Sequence, residues 1–521
     1  MESDVGASIR SDPCLLVSLV SRATGGSEPN HGGIMVSRNR SNRVAVAVAL
    51  VVITAVGCSN RQDSDEAPNG ASTDAPSTAA PSATEAPTDD TPTTVMFGDM
   101  PSPCGPATEA GVPTIAEGQN GGDTLRLGTA TDHGYEAVPG LTIEMLDAAE
   151  AFAGWCNAQG GVRGLPIEIV DLDGKLFNVP AATEQACAET FAMVGGGWVF
   201  DNQMYPRFHE CGLVSFPGYA VTAEASLANG RVQPIPNPPN LKPASWFLWA
   251  KQYQTDAIAK PAIVYGDFVS TKMVAEQLKA TMAAVGGFGD PLMIPYNPVG
   301  EANWTPFAQQ MKDEGVTMLT MVGEPGNMIL LYKAMREVGY VPDLVLNDSN
   351  HYSEQLVAEG NAQSTEGLRV RTVYTPFEEG DQNPALAEFL KMMATYKPDG
   401  RIAGLGQQTV SAMLLFVQSA NACLDANDNV LERECALAEA KKVTSWTAGG
   451  LHAESNPGGN EPPKCGLIIG VVDGRWQRVY PERGSADDNG NGWHCDEENG
   501  AIAIEGDFGD PSVAIDPTRP N

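Results

Sequence analysis

Positive charge is scarce in this 521-residue chain: 32 Lys and Arg stand against 65 Asp and Glu, a formal net charge of −33. Nucleic-acid binding is thereby excluded, because phosphate contacts need clustered Lys and Arg. The overall field also disfavours an anionic solute and suits a neutral, zwitterionic or cationic one. Much of the acidity serves only to keep an exported chain soluble. Among ten cysteines there is no Cys-x-x-Cys pair, which removes zinc ribbons and thioredoxin-type redox motifs. Gly-x-Ser-x-Gly and Walker patterns are missing and the six histidines are scattered, so no catalytic constellation stands out and the chain reads as a non-enzyme with no resident cofactor. The apolar run over residues 44–57, 14 residues long, is too short to span a bilayer.

That run does have the length of a signal-peptide core, and Ser37-Arg38-Asn39-Arg40-Ser41-Asn42-Arg43 supplies the basic segment before it. It ends Ala55-Val56-Gly57-Cys58, which resembles a bacterial lipobox, in which the cysteine is lipidated and becomes the mature N-terminus. The alternative is an ordinary signal peptide with an incidental cysteine. A signal core this late points to translation from Met35, with residues 1–34 a non-native extension. Residues 35–57 are then the lipoprotein signal and Cys58 the lipidation site. Residues 58–100 follow, rich in Ser, Thr, Ala, Pro and Asp. Such a segment cannot bury enough surface to fold and reads as a disordered tether lifting a domain off the membrane.

From residue 125 the pattern changes. An apolar strand at residues 125–128 leads into a polar loop at 129–135. A helical face follows at Leu141, Met145, Leu146, Ala149, Phe152 and Ala153, and then a glycine-rich stop and a second strand at 167–171. Strand, crossover helix and parallel strand make an α/β unit whose ligand sits at the carboxyl ends of the strands. The same alternation recurs beyond a proline-rich break at 234–243. Setting aside Cys14 and Cys58, eight cysteines remain, an even number that implies disulfides in an exported chain. Cys187 with Cys211, Cys104 with Cys156, Cys423 with Cys435 and Cys465 with Cys495 are the candidate pairs.

The order of strand, loop and helix, the turn Asn157-Ala158-Gln159-Gly160-Gly161-Val162-Arg163-Gly164, and the alanine-rich helix with Ala181, Ala182 and Ala186 together resemble the type I solute-binding proteins of ABC importers. Within that class they are most similar to the leucine/isoleucine/valine-binding family and its amide- and urea-binding relatives. The resemblance covers roughly residues 124–480. It implies two doubly wound parallel-sheet lobes joined by a multi-crossing hinge. Lobe I is expected at 123–243 plus 373–452, lobe II at 244–372 plus 453–482, and an acidic, Gly-rich tail at 483–521. It further implies a small amino-acid-like or amide solute, an ABC permease as partner, and a lipid-anchored place on the extracytoplasmic side of the membrane. A sensing or purely structural surface lipoprotein of the same fold is the alternative.

The strand-end loops offer Thr129, Asp132, Tyr135, Trp198, Gly218, Tyr219 and Thr222 in the first lobe, and Phe268, Ser270, Glu324 and Asp348 in the second. Aromatic walls with a few hydroxyls and carboxylates suit a small amphipathic molecule. By the resemblance, Thr222 falls where first-lobe groups hold an amino acid's carboxylate and Asp348 where an acidic residue holds its amine. Ser270 stands where the relatives carry a tyrosine, and Gly195-Gly196-Gly197-Trp198 replaces their Ser-rich turn, so that Trp198 reshapes the pocket. In the tail, Asp487, Asn489, Asn491 and Glu498 match the oxygen spacing of a calcium loop with glycine at the sixth position. No amphipathic helices flank them, and a solvated loop is the competing reading.

Overall fold

The computed structural model describes residues 94–519. The signal segment, Cys58 and most of the tether expected at 58–100 lie outside the described residues. No helix among the described residues is long and apolar enough to cross a membrane.

Two sheets organise the described chain. The first has four parallel strands in the order Ile167–Asp173, Leu125–Thr131, Ala192–Val194, Ser215–Phe216. The strand at Leu125–Thr131 is longer than its apolar core, because Thr129 and Thr131 continue the ladder opposite Asp171 and Asp173. The crossover helix Ile143–Ala158 buries Met145, Ala149, Phe152 and Ala153 and also Ala148, Ala151 and Trp155. It is buried on more than one face because helices Pro384–Tyr396 and Gly404–Ala426, arriving from the far end of the chain, pack on it as well. This lobe's core joins Leu125, Leu127 and Phe152 to Phe389, Val410 and Phe416.

The second sheet has eight strands. Five are parallel, in the order Leu292–Tyr296, Pro261–Gly266, Met318–Val322, Leu344–Asn347, Leu368–Thr372. The antiparallel hairpin Cys465–Val472 and Arg475–Tyr480 extends it, and His494–Cys495 pairs with the start of that hairpin. Near-continuous apolar runs such as Ala262-Ile263-Val264 suit strands covered on both faces. The chain therefore passes from the first lobe to the second, returns for the two long helices, and goes back for the hairpin.

The eight cysteines form the disulfides Cys104–Cys156, Cys187–Cys211, Cys423–Cys435 and Cys465–Cys495. The segment beyond residue 482 is built into the fold. After Cys495 it adds the strand Ala501–Ala503 antiparallel to Leu241–Pro243, on the connection into the second lobe. It then reaches the first lobe, where the Asp516 amide donates to Asn229 and Arg519 donates to the Leu213 carbonyl and to Glu434.

Candidate functional site

In each sheet the strand order reverses beside its first strand, so two strand-end loops diverge there and leave a crevice. The two crevices face a common cleft of about 830 Å³. From the first lobe it is lined by Val138, Glu144, Tyr219 and Arg401; from the second by Trp246, Phe247, Phe268, Glu324, Asp348 and Arg371.

Four of the eleven residues singled out from sequence meet here: Tyr219, Phe268, Glu324 and Asp348. The Tyr219 hydroxyl donates to the Gly197 carbonyl at 3.0 Å, and burial pushes its phenol up. Phe268 packs edge-on against Phe177 and Phe200, which come from the loops after two first-lobe strands, with ring centres 6.1 and 5.2 Å away. The three rings thus make contact between the two lobes. Glu324 precedes helix Pro325–Glu337 and accepts from Asn327 at 2.6 Å; burial pushes its carboxyl up. Asp348 is half-exposed and accepts from Arg371 at 2.8 Å. Burial works to raise its carboxyl, but the Arg371 guanidinium outweighs that and holds it below the usual carboxylate range.

The other seven do not line the cleft. Thr129 donates to the Val194 carbonyl inside the first sheet. Asp132 is fully buried and accepts from the Leu176 and Val199 amides at 2.8 and 2.9 Å, so it ties three strand-end loops together. Tyr135 lies against Phe177. Trp198 turns inward: its indole donates to the Leu172 carbonyl at 3.0 Å, and it backs a separate void of only about 30 Å³. Gly218 lies so close to the next loop that a Cβ would meet the Gly195 carbonyl at 2.4 Å. Thr222 caps helix Ala223–Leu227 and donates to Asp201 at 2.6 Å. Ser270 sits in the first turn of helix Val269–Val285, buried and without a hydroxyl partner. Thr129, Asp132, Trp198 and Thr222 are thus used up in holding the strands and loops, which is a common fate of polar groups at strand ends.

Several lining groups were not anticipated. Glu144 and Arg401, 3.3 Å apart, form a balanced pair on the first-lobe wall. On the opposite wall Lys242 is buried and donates to Asn237 at 2.7 Å; burial draws its ammonium down to about 7. Arg371 lies over the rings of Trp246 and Phe247, 5.1 and 5.2 Å from their centres. A sequence signal existed for Arg371: two arginines in the run Leu368-Arg369-Val370-Arg371-Thr372 cannot both reach water from an interior strand.

In the tail, the Asn489 side-chain oxygen accepts from the Asn491 and Trp493 amides, and the Asp487 carboxylate accepts from Tyr253. The carboxylate that gathers the turn is Asp488, which takes the Gly484, Gly490 and Gly492 amides. Two of the four oxygens that calcium would need, those of Asp487 and Asn489, are thus already engaged. Among the described residues no three His, Cys, Asp or Glu side chains cluster as a metal site.

The sequence model of the periplasmic binding protein family matches residues 139–474. No curated protein matches the chain. Solved structures similar to it include a leucine-binding protein LivK from Thermotoga maritima, 14% identical over 68% of this chain and 97% of that one, with a TM-score of 0.56. A fatty acid ABC transporter substrate-binding protein from Thermomonospora curvata is 17% identical over 74% and 95%, with a TM-score of 0.53. An ABC transporter solute-binding protein from R. palustris in complex with 4-hydroxybenzoate is 16% identical over 69% and 96%, with a TM-score of 0.54. At these identities the likeness bears on the fold.

Proposed function

The chain belongs to the periplasmic binding protein family, and on that premise we propose that it is the lipid-anchored, extracytoplasmic solute-binding component of an ABC importer. The observation that carries this is the cleft itself. It measures about 830 Å³, lies at the carboxyl ends of both sheets, and is lined from both lobes by aromatic walls with a few charged groups. Its volume suits a small organic solute, and an idle cleft would be filled by the chain's own side chains. Tyr219, Phe268, Glu324 and Asp348 are the residues from the sequence reading assigned to solute contact. Closure would come from rotation of one lobe on the other at the crossings. Anchoring through Cys58 rests on the lipobox-like sequence.

A thermal-shift screen tests the binding role. A solute at about a hundred times its dissociation constant adds roughly 2.7 kcal/mol to stability and raises the melting temperature. The expected result is a rise with at least one small solute among amino acids, amides, carboxylates, amines and sugars. No rise with any of them, using protein refolded to remove carried-over ligand, would refute it. For the anchor, the Cys58→Ala variant is expected to appear in the medium instead of the membrane fraction.

A further inference from the structure

The cleft is lined by three acidic and three basic side chains, and two of the basic ones are left incompletely satisfied by their neighbours. On the first-lobe wall Glu144 balances Arg401. Across the cleft, Lys242 on the inter-lobe connection and Arg371 on the second lobe lie beside Asp348, which accepts from Arg371 and from Ser349, while Glu324 on the same side accepts from Asn327. The Lys242 ammonium has three hydrogens to donate, and among the described residues its one partner is the Asn237 side-chain oxygen. The Arg371 Nε is buried with no acceptor, on a side chain only 4% exposed. A buried cation held by a neutral amide and a buried guanidinium nitrogen with no partner are both costly unless an anion completes them. Beside them the wall is apolar, made by Trp246, Phe247 and Leu278.

We propose that the solute is an apolar carboxylate without an ammonium group, its carboxylate held by Lys242 and Arg371 and its body laid along Trp246, Phe247 and Leu278. The inference rests on the solute-binding reading and sharpens it. It reverses the polarity expected of an amino acid, whose amine would need Asp348: that carboxylate is already taken by Arg371. Glu324, the other carboxylate on this side, accepts from Asn327, and burial pushes its carboxyl towards the neutral form, in which it offers an ammonium little. The overall charge of −33 does not decide the matter, because exposed charges more than a Debye length away are screened while buried neighbours are not. Lys242 is also held in place by the tail: its strand on the inter-lobe connection pairs with the tail strand, Lys242 opposite Ile502.

Titration calorimetry with phenylacetate, phenylacetamide, phenethylamine and phenylalanine, and with octanoate against octanamide, tests this on the purified protein. The carboxylates are expected to bind roughly tenfold or more tighter than their amides, since a charged hydrogen-bond partner is lost in the amide. Lys242→Met is expected to weaken the carboxylates roughly tenfold more than the amides, so that the preference disappears, and Lys242→Arg to restore it. If Lys242→Met does not fold, the acid-to-amide ratio in the unaltered protein and Lys242→Arg decide alone. Equal binding of acid and amide, or preference for phenylalanine or phenethylamine, overturns the carboxylate assignment and leaves solute binding standing. No binding by any of the six, with none in the wider screen, overturns both.

Discussion

Asp132 offers the sharpest test of how the cleft loops are held. Its carboxylate is buried and accepts two backbone amides, and burial, stronger than those bonds, raises its carboxyl from 3.8 to about 6. A carboxyl with a raised folded value binds its proton more tightly folded than unfolded between those two values. Stability therefore rises as pH falls from about 6 towards 3.8, and at pH 7 both states are ionised. Working the linkage from those two values, the wild type gains about 2 kcal/mol from this group between pH 7 and pH 4.5. Asp132→Asn removes the titration and leaves one of the Leu176 and Val199 amides without an acceptor, a cost of about 1–3 kcal/mol at pH 7. The gap between wild type and variant should then widen by about 2 kcal/mol at pH 4.5. Urea denaturation of both proteins at the two pH values measures it, and other titrating groups cancel in the difference. A gap that stays the same at both values refutes the assignment of Asp132 as a buried, protonatable clamp.

Three further outcomes follow from geometry already given. The dissociation constant of phenylacetate should rise by up to about tenfold per unit as pH goes from 7 to 9, with that of phenylacetamide unmoved; Lys242, facing Asp348, Arg371 and Asn237, loses its proton in the free protein above about 7, and a bound carboxylate restores it. Calorimetry at three pH values checks this. Gly196→Ala should destabilise the first lobe by about 1–3 kcal/mol in chemical denaturation, because its Cβ would lie 2.1 Å from the Ala130 amide nitrogen and the backbone must move. Replacing Cys104 and Cys156 together by alanine should cost about 4 kcal/mol by the loop-closure estimate for a separation of 52 residues, read as a lower denaturant midpoint.

The α/β alternation was legible because each strand is a short apolar run and each helix a periodic one. Leu125, Leu127, Ile167 and Ile169 announce their strands without any tertiary information. The loops that end those strands were legible as a set, for the topological reason that ligands sit where strand order reverses. Which residue in a loop turns into the cleft was not. Asp132 and Trp198 look like ligand groups in sequence, yet the neighbouring loops present free amides and a carbonyl that capture them. Lys242 and Arg371 escaped notice because their common neighbour is Asp348, and the nearness of three residues spread over three elements is a fact of packing. Helix Pro325–Glu337 begins three residues before the apolar pattern does, since proline is tolerated in a first turn, and this turns Glu324 into the residue before a helix.

The segment past residue 482 carries a mechanical consequence. It is fastened to the second lobe by Cys465–Cys495, to the inter-lobe connection by Ala501–Ala503, and to the first lobe by the turn Pro511–Ala514 and Arg519. Between Ala503 and Pro511 the backbone can reach no further than roughly 25–30 Å even when drawn straight. A leash of that length sets an upper bound on how far those two anchorages can part. It leaves the lobes free to swing open on the opposite side. A label on the leash would report its tension.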